Sequence, residues 1–224
     1  LNGNSAEFRM GEARMFIEAM NQKMATGMFY GNPANDAKEF LGLAPRYSTL
    51  TGAGNSVNVL SAGGADADEQ TSVWLVCWSD QSVFCPFDAG GTGKRMEVLA
   101  ERFQWKSGLV VKDWRYAVRI ANIGTTDNDS AGAITDLGGT MAPSALTNII
   151  HQMAKAIARI PNMNMGRPAF YMNRTVFAGL MRTALEKSTS ALSISDAITQ
   201  FGSPSSMLSF MGIPIRPCDS LTNT

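Results

Sequence analysis

The 224-residue sequence predicts an α+β fold. Three observations carry that expectation. A run with helical spacing of apolar residues opens the chain, alternating Val, Ile and Trp fill its middle, and the last third reads helix, strand, helix, loop, strand.

In "NSAEFRMGEARMFIEAMNQKMATGMFYGN", residues Ala13, Phe16, Ile17, Met20, Met24 and Met28 recur every three or four positions, with Glu12, Arg14, Glu18 and Lys23 elsewhere on the wheel. The pattern predicts one long amphipathic helix. Asn4 followed by Glu7 is the expected capping box, and Gly31 the expected stop. Gly11 and Gly27 each cost about 1 kcal/mol relative to Ala, so this helix should depend on packing rather than propensity.

From Pro33 to Asp68 the chain is rich in Gly, Ala, Asn, Ser and Pro, with apolar anchors at Phe40, Leu41, Leu43 and Tyr47. Irregular structure is expected there, leading into a strand near Val57 to Leu60, with the acidic block Asp66 to Glu69 as a solvated turn. "TSVWLVCW" alternates Val73, Leu75 and Cys77 against Trp74, Val76 and Trp78, and Phe103 to Ile120 supplies two more β-rich runs around Gly108 and Asp113. Asn122 to Met141 is polar and Gly-containing, and predicts a long mobile connector.

The period changes in "PSALTNIIHQMAKAIARIPN", where Leu146, Ile149, Ile150, Met153, Ile157 and Ile160 form one stripe between Pro143 and Pro161. "RPAFYM" predicts a short strand. Asn173 is the expected N-cap of a helix lined by Val176, Phe177, Leu180, Met181 and Leu185. Ser188 to Ser206 is expected to be a small-residue excursion. The closing stretch "FMGIPIRPCD" alternates Met211, Ile213 and Ile215 with Gly212, Pro214 and Arg216, which predicts a half-buried strand. Pro214 cannot donate to a ladder, so that strand should lie at an edge or meet its neighbour only on the other side.

Composition narrows the function. With 45% hydrophobic residues the chain can bury a sizeable core. Nineteen Lys and Arg balance nineteen Asp and Glu, so no basic field announces a nucleic-acid surface, and any contact with DNA is expected to be local or weak. Cys77, Cys85 and Cys218 are an odd count, which favours free thiols in a reducing cytoplasm. No apolar run approaches the ~20 residues of a membrane helix, and no signal peptide is expected. Leu1 in place of an initiator methionine, with the break at Thr224, raises the expectation that the sequence is a piece of a longer chain.

Catalytic and metal chemistry find little support, and no catalytic, cofactor or metal residue is assigned. His151 is the single histidine and lies off its helix's apolar stripe, so it reads as a surface residue. Cys77 and Cys85 are too far apart for a zinc knuckle, lack a second pair, and suit core packing. "DAGGTGKR" at Asp88 to Arg95 imitates a phosphate loop. It has Asp88 where that loop needs glycine and Arg95 where it needs Ser or Thr, so it reads as a plain loop. Asp113, Arg115 and Arg119 predict an ion pair beside Trp114; an α/β enzyme using Asp113 and Arg115 would need a third convergent polar group, and none is evident. "NDS" at Asn128 and "NRT" at Asn173 match a glycosylation pattern that means little without secretion.

The ordered set of "GMFYGN", "GLAPRY", "GLVVKDWRYAVRIANI", "LTNIIHQMAKAIARIPN", "MGRPAFYMNRTVFAGLMRTALEK" and "FMGIPIRPCDSL" resembles the major capsid proteins of tailed double-stranded DNA phages, with the Hong Kong ninety-seven-like capsid fold. The resemblance implies a peripheral domain over residues 1–122, with the first helix as its spine, and an axial domain over residues 123–224. The β-rich segment from Val57 to Ile120 departs from the simplest members. The resemblance also implies a homo-oligomer of pentamers and hexamers that encloses packaged DNA by non-specific contact, cement or scaffolding proteins as further partners, no membrane and no cofactor. The subunit would belong to the virion capsid and assemble in the bacterial host cytoplasm. Asp127 to Gly139 and Thr189 to Ser206 would be loops converging on the symmetry axis. A bacterial nanocompartment shell, which shares the fold but encloses cargo enzymes, is the alternative.

Overall fold

The computed structural model of the chain describes residues 5–63, 70–89, 105–124, 149–185, 192–198 and 204–221. In chain order the elements are α1 (Ser5–Tyr30), α2 (Leu43–Arg46), β1 (Val59–Ser61), β2 (Gln70–Trp78), β3 (Val83–Phe84), β4 (Phe87–Ala89), β5 (Trp105–Ser107), β6 (Val110–Val111) and β7 (Ala117–Gly124). There follow α3 (Ile149–Arg159), β8 (Arg167–Met172), α4 (Arg174–Leu185), β9 (Leu192–Ile198), β10 (Pro204–Phe210) and β11 (Ile213–Pro217). Short 3-10 turns occupy Gly54–Asn58, Trp114–Tyr116 and Met163–Met165.

Two compact units emerge. One comprises Leu1–Arg46 with Cys85–Val110, the other Tyr47–Phe84 with Val111–Thr224. The expected cut at 122/123 gives way for a direct reason: it falls inside β7, and the sheet of the second unit takes strands from both sides of it. Of the described residues after β3, β4 and β5 pair with each other outside that sheet and group with the N-terminal segment.

In the first unit α1 ends where expected. The amide of Gly31 donates to Gly27 O at 3.0 Å, and the amide of Gly42 then donates to Gly31 O at 2.7 Å, laying the return segment against the last helical turn. A Cβ on Gly42 would come within 2.7 Å of Gly27 O and 2.9 Å of Gly31 N, so this approach needs glycine. Lys23 Nζ reaches Glu39 Oε1 at 2.5 Å, and Glu39 Oε2 also accepts from Asn32 N. The capping residue Asn4 lies outside the described residues.

The second unit is built on seven strands in the order β1-β7-β2-β8-β11-β10-β9, with β3 joined to the end of β2. β2 is central, antiparallel to β7 on one side and to β8 on the other, whereas β1·β7 and β8·β11 are parallel. β2 is buried along almost its whole length, as a strand covered on both faces must be. Its two faces differ. Val73, Leu75 and Cys77 join Val118, Ile120, Phe170 and Met172 in a core with Met153, Val176 and Leu180 from the helices. Trp74 and Trp78 point to the other face, where Tyr47 meets Trp74 edge-on at 5.9 Å.

The stripe expected on α3 buries Ile149, Ile150, Met153 and Ile160. The helical residues expected from Pro143 to Asn148 lie outside the described set. Near residue 57 the expected strand begins later: Gly54–Asn58 forms a 3-10 turn and β1 follows it.

Two expectations are corrected. Ser188 to Ser206 is no mere excursion, because β9 and β10 pair antiparallel from Leu192↔Phe210 to Ile198↔Pro204. Leu192, Ile194 and Ile198 fall on alternate positions among small residues, and that period supports a strand. β11 is not an edge strand either, since it lies between β8 and β10.

The prolines are accommodated by a change of partner along β11. The strand pairs β10 at Ile213 and Pro214, then β8 at Ile215, Arg216 and Pro217. Cys218 N donates to Met172 O at 2.8 Å, so even-numbered amides on this strand face β8 and odd-numbered ones face β10. Position 214 therefore faces β8 just before pairing with β8 begins, and position 217 faces β10 after pairing with β10 has ended. Neither missing N–H leaves a gap in a ladder. Met211 and Gly212, both with positive φ, close the β10–β11 hairpin as a two-residue type I′ turn.

Candidate functional site

Asn173 ends β8 and opens α4, and it does two things there. Its Oδ1 accepts from Thr175 N at 2.9 Å, which is the expected N-cap, and its Nδ2 donates to Leu221 O at 2.8 Å. Arg174, the next residue, holds both carboxylate oxygens of Asp219, with Nη2 to Oδ2 at 2.8 Å. The start of α4 thus ties down residues 218–221, where Leu221 is fully buried. Arg174 hydrogen-bonding lowers the Asp219 pKa from its ordinary value. The sequence signalled the cap; the tether to a carbonyl 48 residues away carries no local signature.

Asp113 and Arg115 form the expected ion pair, Nη2 to Oδ2 at 2.7 Å. Asp113 Oδ1 also accepts from Arg115 N, so the carboxylate caps the Trp114–Tyr116 turn. Hydrogen bonding from Arg115 holds the Asp113 carboxyl below its ordinary range. Arg119 takes no part in that pair. Its Nε donates to Ser72 Oγ at 3.1 Å, its Nη1 to Tyr47 O at 3.0 Å, and its guanidinium lies 5.5 Å from the Trp74 ring. Asn58 Nδ2 and the Tyr47 hydroxyl both donate to Trp114 O. This network pins the segment around residue 47 to the sheet, and its members point at one another rather than converging on an open position for substrate.

The remaining candidates are dispersed. His151 is exposed on α3. Cys77 is buried in the core, Cys85 donates its thiol to Gly108 O, and Cys218 is partly covered; all three are free thiols. Burial pushes the Cys77 and Cys85 thiols above their ordinary pKa. Among the described residues no group of three His, Cys, Asp or Glu is placed to hold a metal ion. Of "DAGGTGKR", Asp88 and Ala89 lie in β4 and the rest falls outside the described residues.

What the chain does present is surface. On α1, Phe16 is 62% exposed and Ile17 36%, so the first part of the predicted apolar stripe faces outward, and Met15, outside that stripe, is 75% exposed. Met20, Met24 and Met28 further along it are half-buried. No described helix is long and apolar enough to cross a membrane. Exposed large apolar side chains grouped on one helix mark an interaction surface.

The sequence profile of the Major capsid protein GP7 family matches residues 1–92 and 87–224, which together span the chain. The chain belongs to that family. A chain in the near-atomic structure of bacteriophage Epsilon15 is similar to this major capsid protein at 26% identity and a TM-score of 0.59. The likeness covers 99% of this chain and 67% of that one. No curated protein matches the sequence.

The capsid protein is thus a structural component of a bacteriophage shell, located in the virion, and its role is not enzymatic. That assignment separates it from the nanocompartment and enzyme alternatives. It also fits a chain whose polar networks brace its own fold.

Proposed function

We propose that this capsid subunit assembles into closed icosahedral shells through pentamers and hexamers, with α1 as the spine of a peripheral unit and the sheet β1-β7-β2-β8-β11-β10-β9 with α3 and α4 as the axial unit. The observation that carries the reading is the exposure of Met15, Phe16 and Ile17 on α1 in a member of a capsid family. Three exposed apolar side chains on that helix, each contributing roughly 1.5 to 3 kcal/mol when fully buried, offer a gain when neighbouring copies meet. Packaged double-stranded DNA would be held inside by non-specific contact, with cement or scaffolding proteins acting on the assembled lattice. The loops expected at Asp127 to Gly139 and between β9 and β10 lie outside the described residues.

The test is the particle formed by the full-length protein. Light scattering and negative-stain microscopy should show closed particles of megadalton mass. In a reconstruction, copies of the subunit should superpose closely over α3 and α4 and diverge at the axial connections. A discrete monomer under every assembly condition would remove the reading.

A further inference from the structure

The sheet face opposite α3 and α4 carries an unusual charge pattern. In register across β2, β8 and β11, Trp78 lies opposite Arg167, Trp74 opposite Tyr171, and Tyr171 beside Arg216. Strand alternation puts these side chains on one face. Arg119 shares it, being opposite Trp74. The positions of β2, β7, β8 and β11 on this face include three arginines and no carboxylate, in a chain with equal numbers of acids and bases.

Arg119 is committed to Ser72 and Tyr47, but Arg167 and Arg216 are exposed. The ion pairs among the described residues are Lys23–Glu39, Arg115–Asp113 and Arg174–Asp219, and they involve neither of them. Between the two lies a rigid aromatic pair. Trp78 Nε1 donates to the Tyr171 hydroxyl at 2.8 Å, and the rings meet edge-on at 6.3 Å. Arg167 and Tyr171 are four residues apart on β8, about 13 Å at ~3.3 Å per residue, and Arg216 is one strand further, ~4.8 Å away. The two guanidinium stems therefore stand roughly 14 Å apart, similar to the ~12 Å between the backbones that bound a DNA major groove.

We propose that this Arg167–Trp78–Tyr171–Arg216 face binds the phosphate backbone of double-stranded DNA. The assignment rests on the shell reading, to which it adds the surface that meets the enclosed nucleic acid. Each arginine contacts a phosphate, and the aromatic pair keeps the strands on which they stand from yielding. The contact is independent of base sequence, because phosphate contacts carry no sequence information.

The experiment titrates the unassembled full-length subunit with a short fluorescein-labelled DNA duplex, following anisotropy over a salt series. Each phosphate contact contributes about 0.9 to the slope of log affinity against log salt. R167Q/R216Q should reduce the slope by about 1.8, so that between about 50 and 200 mM salt the wild type loses roughly tenfold more affinity than the variant. R167K/R216K should retain the wild-type slope. Particle formation is measured on the same proteins. Normal particles from R167Q/R216Q together with the reduced slope support the proposal. An unchanged slope overturns it, and an unchanged slope with lost particles assigns the face to contact between copies. If the wild type forms no particles, the shell reading fails, while the titration still decides whether this face binds DNA.

Discussion

Replacing Asn173 with Ala should destabilise the subunit by about 2 kcal/mol. The side chain makes two separable bonds, the cap to Thr175 N and the tether to Leu221 O. Loss of an N-cap costs about 1 kcal/mol. Loss of a partly buried hydrogen bond costs about as much again, since the Leu221 carbonyl is left without this donor. The backbone bond from Phe177 N to Asn173 O survives the substitution, so the helix is weakened at its first turn rather than abolished. For a domain of this size each kcal/mol moves the melting temperature by about 2 to 4 °C, giving a fall of about 4 to 8 °C. Asn173→Ser keeps a capping oxygen but no donor that reaches Leu221, and should lose about half as much. Urea unfolding of the unassembled subunit measures the series. An N173A midpoint within about 0.5 kcal/mol of wild type would refute both assignments, and an N173S protein as stable as wild type would remove the tether.

Gly166→Ala should cost about 1 to 3 kcal/mol by overpacking, because its Cβ would be driven into Trp78 O and stand 2.9 Å from the Ser79 Cβ; thermal unfolding near the wild-type value would show that β8 does not start so close to β2. Met211→Asn should stabilise by about 1 kcal/mol, since Met211 holds a φ of 50° that costs an ordinary L-residue about that much and is 64% exposed, with little packing to lose; an unchanged urea midpoint would count against it. Acid should weaken the fold. Glu39, Asp113 and Asp219 all titrate below their ordinary range, chiefly through hydrogen bonds from Lys23, Arg115 and Arg174. Stability gained from a lowered carboxyl pKa is present above the unfolded value and lost as pH falls through the folded one. Midpoints should therefore hold from pH 7 to about 5 and fall below about 4, and the fall should be smaller in E39Q/D113N/D219N.

Local signals were legible in the sequence, and non-local ones were not. The stripe Ile149, Ile150, Met153 and Ile160, the cap at Asn173 and the pair Asp113–Arg115 each depend on residues within a few positions, so spacing alone reveals them. The prolines of β11 were read as an edge signal because sequence shows a missing donor but not a strand that changes partners halfway. β9 and β10 were hidden by serine and alanine, whose weak β-propensity masks the alternation of Leu192, Ile194 and Ile198. The cut at 122/123 comes from the resemblance, at the start of the polar connector, whereas the contacts group residues far apart in sequence, and the use of Arg119 on Tyr47 is likewise set only in three dimensions.

The central position of β2 has a consequence for how the protein is made. Both neighbours of this strand lie downstream: β7 ends at Gly124 and β8 at Met172. Ribosomes add about 5 to 20 residues per second, so the roughly 94 residues from Trp78 to Met172 take about 5 to 20 s to appear. For that interval the apolar run Val73 to Cys77 has at least one unpaired edge, on a nascent chain crowded among identical ones. Such an edge invites pairing with the same segment of a neighbour. A coat protein must be produced in many copies at once, so its yield is set partly by how this strand is shielded during synthesis; slower initiation or lower temperature during expression should raise the soluble fraction without any change in the finished fold.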